Sequence, residues 1–151
     1  MVEYVKGNLV TENYDVFCHQ VNCRGVMGSG IAKQIRGNYP EVFNQYLANH
    51  RLQGDRLGTN LYVKTNDGRV CVNMYAQDNF GRDKCHTDYA AFRSCLMDLK
   101  DYLSHQLENI TVGFPYKIGC GLAGGDWAIV EEMIKEFTKQ VQQKVFIVSL
   151  E

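Results

Sequence analysis

No run in the 151 residues comes near the ~20 consecutive apolar side chains that a membrane-crossing helix needs, so no membrane partner is expected. An excess of either charge is missing as well. Sixteen basic residues face seventeen acidic ones, a net charge of -1, so no global field draws the chain to nucleic acid and any anionic ligand has to be held locally. The six cysteines (Cys18, Cys23, Cys71, Cys85, Cys95 and Cys120) form no C-x-x-C pair, and several lie within apolar runs. Zinc is therefore not expected, nor is any other metal or a cofactor. The N-terminus begins directly with the strand-like Val2 to Val5 rather than a leader, so reduced thiols and a cytoplasmic location are expected. Internal repeats, low-complexity tracts and linkers are absent too, and residues 1–151 read as one domain, expected to be a monomer.

What is present suits a folded chain with a sizeable core, since hydrophobic residues make up 45 % of it and charged residues 22 %. Glycine is concentrated at two places. The stretch from Pro115 to Trp127, with Gly119, Gly121, Gly124 and Gly125, stands between the apolar run Ile110 to Phe114 and a segment with helical apolar spacing at Ile129, Val130, Met133, Ile134 and Phe137. It is a strand-to-helix turn in which backbone N–H groups can approach something bulky and the helix start adds a positive dipole end, a combination that suits phosphate. A second loop of the same kind, Val21 to Ile31, follows the apolar run Val16 to Val21 and opens a helix expected to start near Gly28, with Ile31, Ala32 and Ile35 on one face. Two such loops in one domain can hold the two phosphates of one diphosphate.

The rest of the chain completes an alternating pattern. Val2 to Lys6 and Tyr14 to Val21 read as strands, and Pro40 opens a helix to about His50. The stretch 52–58 reads as a turn region. The Asp67-Gly68 pair sets a hairpin between Thr59–Lys64 and Arg69–Tyr75. The polar segment Gln77 to Thr87 is too long for a minimal connector and is expected to cover a site. Thr87 is expected to cap a helix to about Leu107, with Ala91, Cys95, Leu96, Leu99, Leu103 and Leu107 as its buried stripe, and Lys144 to Leu150 is the last strand. The expected fold is α/β, a three-layer α/β/α sandwich with a mixed central sheet and both glycine loops at the carboxyl ends of parallel strands.

Three stretches, Tyr4-Val-Lys-Gly-Asn-Leu9, His19-Gln-Val-Asn22 with Gly25-Val-Met-Gly-Ser-Gly-Ile-Ala32, and Ile118-Gly-Cys-Gly-Leu122 with Trp127, give the chain its family resemblance. The chain resembles a macrodomain, the ADP-ribose-binding α/β fold, over essentially its whole length. Within that family it is similar to the branch holding the terminal ADP-ribose glycohydrolases that act on glutamate esters, the antitoxin domains that remove ADP-ribose from DNA, and the ADP-ribose-1''-phosphate processing enzymes. The resemblance implies ADP-ribose or an ADP-ribosylated substrate as partner. It assigns Asn8 and Leu9 to the adenine end and Asn22 to the distal ribose. Gly25, Val26, Met27, Gly28, Ser29, Gly30 and Ile31 would line the diphosphate and distal ribose, and Ile118, Gly119, Cys120, Gly121, Leu122 and Ala123 would wrap the phosphates from the other side. Glutamate-ester enzymes of the branch carry a lysine where this chain has Gln77 and an aspartate where it has Ala123, so their lysyl mechanism does not carry over.

Hydrolysis at the distal ribose needs a positioned water and charge stabilisation, from backbone donors or from the ligand's own phosphate. Asn22 and the loop amides would orient the ligand, and Asp78, beside Gln77 at a strand end, is the preferred base, with Asp83 the other candidate and a solvated loop aspartate the plain reading of each. Asp126 reads as an N-cap, Lys84 as a surface lysine, His19 as a satisfied core histidine and Trp127 as packing that anchors its loop. His86 stands in the covering segment and could titrate near neutrality. Cys120 lies where amides would lower a thiol's pKa, but reads as a small residue that fits. The function these residues imply is hydrolysis at C1'' of an ADP-ribosylated macromolecule, of ADP-ribose-1''-phosphate or of an O-acetyl ester; the alternative is a non-catalytic ADP-ribose reader.

Overall fold

The structure is a computed structural model that describes residues 1–52, 54–81 and 83–150. Gln53 in the expected turn region, Arg82 in the covering segment and Glu151 lie outside the described residues. Ten elements follow in chain order: β1 (Val2–Lys6), β2 (Val16–Asn22), α1 (Gly30–Asn38), α2 (Pro40–Arg51), β3 (Asn60–Lys64), β4 (Val70–Gln77), α3 (Tyr89–Ser104), β5 (Thr111–Pro115), α4 (Trp127–Thr138) and β6 (Lys144–Ser149).

One sheet orders them β1-β6-β5-β2-β4-β3, with every neighbouring pair parallel except β3 against β4. The mixed sheet is thus as the sequence implies. Its antiparallel edge follows from the hairpin, in which Gly68 takes φ +86 and its N–H donates to the Thr65 carbonyl at 3.0 Å. Alternation along the central strands divides the core. Val16 and Cys18 of β2 with Val72 and Met74 of β4 meet Phe92, Leu96 and Leu99 of α3 and Val130 and Ile134 of α4. Phe17 and Val21, on the opposite face, meet Ile35 of α1 and Val42 and Tyr46 of α2. Burial on both faces is why β2 reads as a nearly continuous apolar run.

Two buried polar side chains are built into this frame. Arg69, 7 % exposed, donates to the carbonyls of Leu9, Val10 and Tyr14 at 2.7 to 2.8 Å and lies over the Phe17 ring, so it ties the β1–β2 connection to the hairpin. His19 is fully buried, with Nε2 2.6 Å from Asn73 Oδ1 and Nδ1 without a partner among the described residues; burial pushes its pKa down to about 4. It is a core histidine, satisfied on one side only.

Several helix boundaries differ from the sequence reading. The cap of α3 is Asp88, whose carboxylate accepts from the Ala91 amide at 2.9 Å, because the Thr87 hydroxyl is engaged elsewhere. The helix ends at Ser104 and leaves Leu107 exposed. Helix α1 starts at Gly30 rather than near Gly28.

Candidate functional site

The parallel strands β2, β4 and β5 end on the same side of the sheet, and the segments that leave them enclose a cleft of about 1210 Å³. A bulge sets its floor. The register of β2 on β4 slips between Val21 and Asn22, so that Asn22 comes opposite Gln77 as both strands end. Asn22 then fastens the first loop. Its Oδ1 accepts from the amide of Arg24 at 2.9 Å and from the Tyr46 hydroxyl at 2.8 Å, and its Nδ2 donates to the Val26 carbonyl at 2.8 Å. One N–H of that amide remains for the cleft, which Asn22 lines.

The two glycine loops present donors in different ways. In the first, Gly28, Ser29, Gly30, Ile31 and Ala32 line the cleft, and Ser29, the cap residue of α1, makes no side-chain capping bond. The opening amides of α1 are left facing the cavity, a ready anion site. In the second, Ile118, Gly119, Gly121, Leu122, Ala123 and Gly124 line the cleft, but α4 does not. Asp126 caps it, accepting from the Ala128 amide at 3.0 Å, so the expected contribution of this helix dipole is not available. The second loop offers its own backbone instead. Its turns use the amides of Ile118, Cys120, Gly124 and Gly125, and among the described residues nothing in the chain accepts from those of Gly121, Leu122 and Ala123.

Of the remaining candidates, Asn22, Val26 and Gln77 line the cleft, while Gly25, Met27 and Cys120 stand behind it. Gly25, at φ +80, packs on the His50 ring; Met27 is 1 % exposed in the core. The Cys120 thiol is pushed up to about 11 by burial, then by Asp126 and Cys85, against the nearby Lys117. Its S–H donates to the Ile118 carbonyl at 3.3 Å rather than its sulfur accepting from loop amides, contrary to what loop position alone suggests, and burial leaves a poor nucleophile. Asn8 and Leu9 are not brought to the cleft either. Asn8 Oδ1 accepts from Val10 N at 3.0 Å, and Leu9 fills the space beside Gly113 in the core.

Asp78 lies outside the cleft, its carboxylate 2.7 Å from Arg24 Nη2 on the exposed surface, and Asp83 pairs with His86 Nε2 at 2.8 Å, which holds its carboxyl below the usual range. The lining carries Lys84 and Lys117 but no carboxylate among the described residues. Sequence reasoning did not single out Gln20, Phe80, Cys85, Tyr116 or Lys117, all of which line the cleft. Signals existed for two of them: Gln20 follows His19 as a second polar residue within a mostly apolar strand, and Phe80 is an aromatic in a polar segment. Lys117 takes φ +60, the one positive-φ residue other than glycine among those described, and only the folded loop reveals it.

A second hollow, of about 750 Å³, lies between α3 and α4 on the far side of the α3/α4 layer and has neither glycine loop in its lining. No group of three or more His, Cys, Asp or Glu side chains that could hold a metal ion is found among the described residues. Among them, too, no helix is long and apolar enough to cross a membrane.

The Macro domain model matches residues 18–134, and the chain belongs to the Macro domain family. It is similar to a DNA ADP-ribosyl glycohydrolase of Mycobacterium tuberculosis, 28% identical over 93% of this chain and 40% of that protein. It is also similar to an ADP-ribose 1''-phosphate phosphatase of Debaryomyces hansenii, 27% identical over 91% of this chain and 94% of that one. Among solved structures, the macrodomain of Mycobacterium tuberculosis DarG superposes with a TM-score of 0.83 at 28% identity, covering 99% of this chain and 97% of that one. The chain thus spans less than half of the mycobacterial glycohydrolase but nearly all of the yeast phosphatase.

Proposed function

We propose that the chain binds ADP-ribose in this cleft and hydrolyses an ADP-ribose derivative at C1''. The observation that carries the reading is a pair of glycines that the fold does not need. Among the glycines lining the cleft, Gly30, Gly81, Gly119 and Gly124 have positive φ, whereas Gly28 and Gly121 do not, and a Cβ would meet nothing within 4 Å at Gly121 and only the Val26 side chain, at 3.8 Å, at Gly28. One such glycine sits in each loop, where a ligand's phosphates would come against backbone.

The uncapped α1 start, the open amides of the second loop and the two lysines suit a diphosphate. The remaining N–H of Asn22 orients the distal ribose. With no carboxylate among the described residues of the lining, positive charge building at C1'' is met by the ligand's own phosphate, water adds as the C1'' bond breaks, and the leaving group takes the proton. The names of the two relatives, a glycohydrolase and a phosphatase of ADP-ribose derivatives, support this class of substrate. We extend the reading to a monomer in the cytoplasm, in keeping with six free cysteines. The missing carboxylate also favours the second reading, an ADP-ribose reader without turnover. Calorimetric titration with ADP-ribose, followed by incubation with ADP-ribose-1''-phosphate and with a glutamate-ADP-ribosylated protein, separates them. Release of either group supports the hydrolase, binding without release supports the reader, and absence of binding overturns both.

A further inference from the structure

We infer that Gln20, acting through Thr87, is the positioning residue that sets the Gly121, Leu122 and Ala123 amides at the spacing a diphosphate requires, an inference that rests on the ADP-ribose reading. Gln20 lies on β2, the strand that leads into the first glycine loop and neighbours β5, which leads into the second, and its Nε2 donates to Gln77 Oε1 at 2.8 Å and to Thr87 Oγ1 at 2.9 Å. Gln77 Nε2 in turn donates to the Asn79 carbonyl at 2.8 Å, at the root of the covering segment. The Thr87 hydroxyl donates to the Gly119 carbonyl at 2.6 Å, and the same carbonyl accepts from Gly125 N at 2.9 Å. One side chain therefore connects the end of β4, the covering segment and the base of the second loop. The amides of Gly121, Leu122 and Ala123 project from the stretch held between Gly119 and Gly125.

Two further observations show that this junction is built. A Cβ at Gly119 would stand 2.7 Å from Gln20 Oε1, and one at Gly125 would stand 2.5 Å from the Gly119 carbonyl and 3.2 Å from Thr87 Oγ1, so both glycines make room for it. Gln20 Oε1 is buried with no hydrogen-bond partner among the described residues, a cost that an apolar side chain at this position would not carry. The fold bears that cost, and what it obtains is the fixed distance between β2 and the loop.

The test compares wild type with Gln20→Leu, Thr87→Val, the double variant and Thr87→Ser, by ADP-ribose calorimetry, thermal unfolding and the amide NMR resonances of Gly119, Gly121, Leu122 and Ala123. Each of the first two variants should lose roughly tenfold in affinity, and the double variant should lose no more than the weaker single variant, because the two act in series. Thr87→Ser keeps the hydroxyl and should bind within about twofold of wild type. The loop resonances should move in Gln20→Leu without ligand, which a role confined to stability would not produce. Folded Gln20→Leu with wild-type affinity and unmoved resonances overturns the inference, as does a double variant showing the product of the two single losses. Should Gln20→Leu fail to fold, Gln20→Met, which keeps the length and removes the amide, replaces it in the same two readouts, and wild-type affinity with unmoved resonances there overturns the inference. A wild type that binds no ADP-ribose overturns the ligand reading instead, while the resonances still decide whether Gln20 sets the loop.

Discussion

The two glycine loops carry the same sequence signature and solve the same problem differently. The first gives up a helix cap: Ser29 leaves the opening amides of α1 without a side-chain cap, and Asn22 at the loop's own start, with Tyr46 of α2, holds the loop that leads to them. The second keeps its cap on Asp126 and turns its own middle toward the cleft, braced from behind by Thr87. An unsatisfied helix start and a bare stretch of backbone offer the same donors, so a glycine-rich strand-to-helix turn does not by itself say which is used.

The largest expected effect tests what the loops face. Gly121→Glu places its Cβ where no protein atom lies within 4 Å, so the unfolding temperature should stay near that of wild type while ADP-ribose affinity falls on the order of 100-fold or more, a carboxylate meeting phosphate. Binding retained in calorimetry would break the assignment of this loop. The first loop also stands on a strand with a titratable core. His19, three residues before Asn22 on β2, has its pKa lowered to about 4 by burial, so the unfolded chain binds the proton more readily. Its contribution is complete above the ordinary value of about 6.5 and is lost as pH falls from there through 4, to the extent of about 3 kcal/mol. Urea unfolding across that range should show the loss, and His19→Gln should flatten that part of the profile; an equally steep profile would remove His19 as its source.

A smaller and sharper contrast lies between the caps. Asp126→Ala should cost about 1 kcal/mol in urea unfolding, whereas Ser29→Ala, which loses no capping bond, should cost only a few tenths. Equal losses would mean that the two helix starts do not differ as described. The smallest effect is expected from Asp78→Ala. Its partner Arg24 and the carboxylate itself are both exposed, so stability should change by less than about 1 kcal/mol and affinity by less than about twofold. A tenfold fall in turnover would return Asp78 to the chemistry.

Much of this was legible before folding because it is local. Period-2 and period-3.6 apolar spacing located the strands and helices, Asp67-Gly68 fixed the hairpin, and an aspartate ahead of Trp127 identified a cap, since each depends on neighbours within a few residues. The candidate site was legible mainly in its glycine loops and in the positions that the family resemblance supplied, Asn22, Val26 and Gln77 among them. The loop stretches 28–31 and 118–123 could be named, but Gln20, Phe80, Tyr116 and Lys117 reach the cleft through strand register and loop conformation, which no window of sequence contains. Thr87 shows the limit most plainly. Read locally it is a helix cap; in the structure Asp88 takes that role and the Thr87 hydroxyl reaches Gly119, thirty-two positions away in sequence.

The sequence by itself determined the element order, the mixed sheet and the presence of two backbone-rich loops, because periodicity and glycine content act over short range. Only the tertiary structure decided which helix start stays open, that Asp78 pairs with Arg24 outside the cleft, and that burial makes Cys120 a poor thiolate. Each of those depends on what lies across space from the residue, and hydrogen-bond competition and desolvation are settled there.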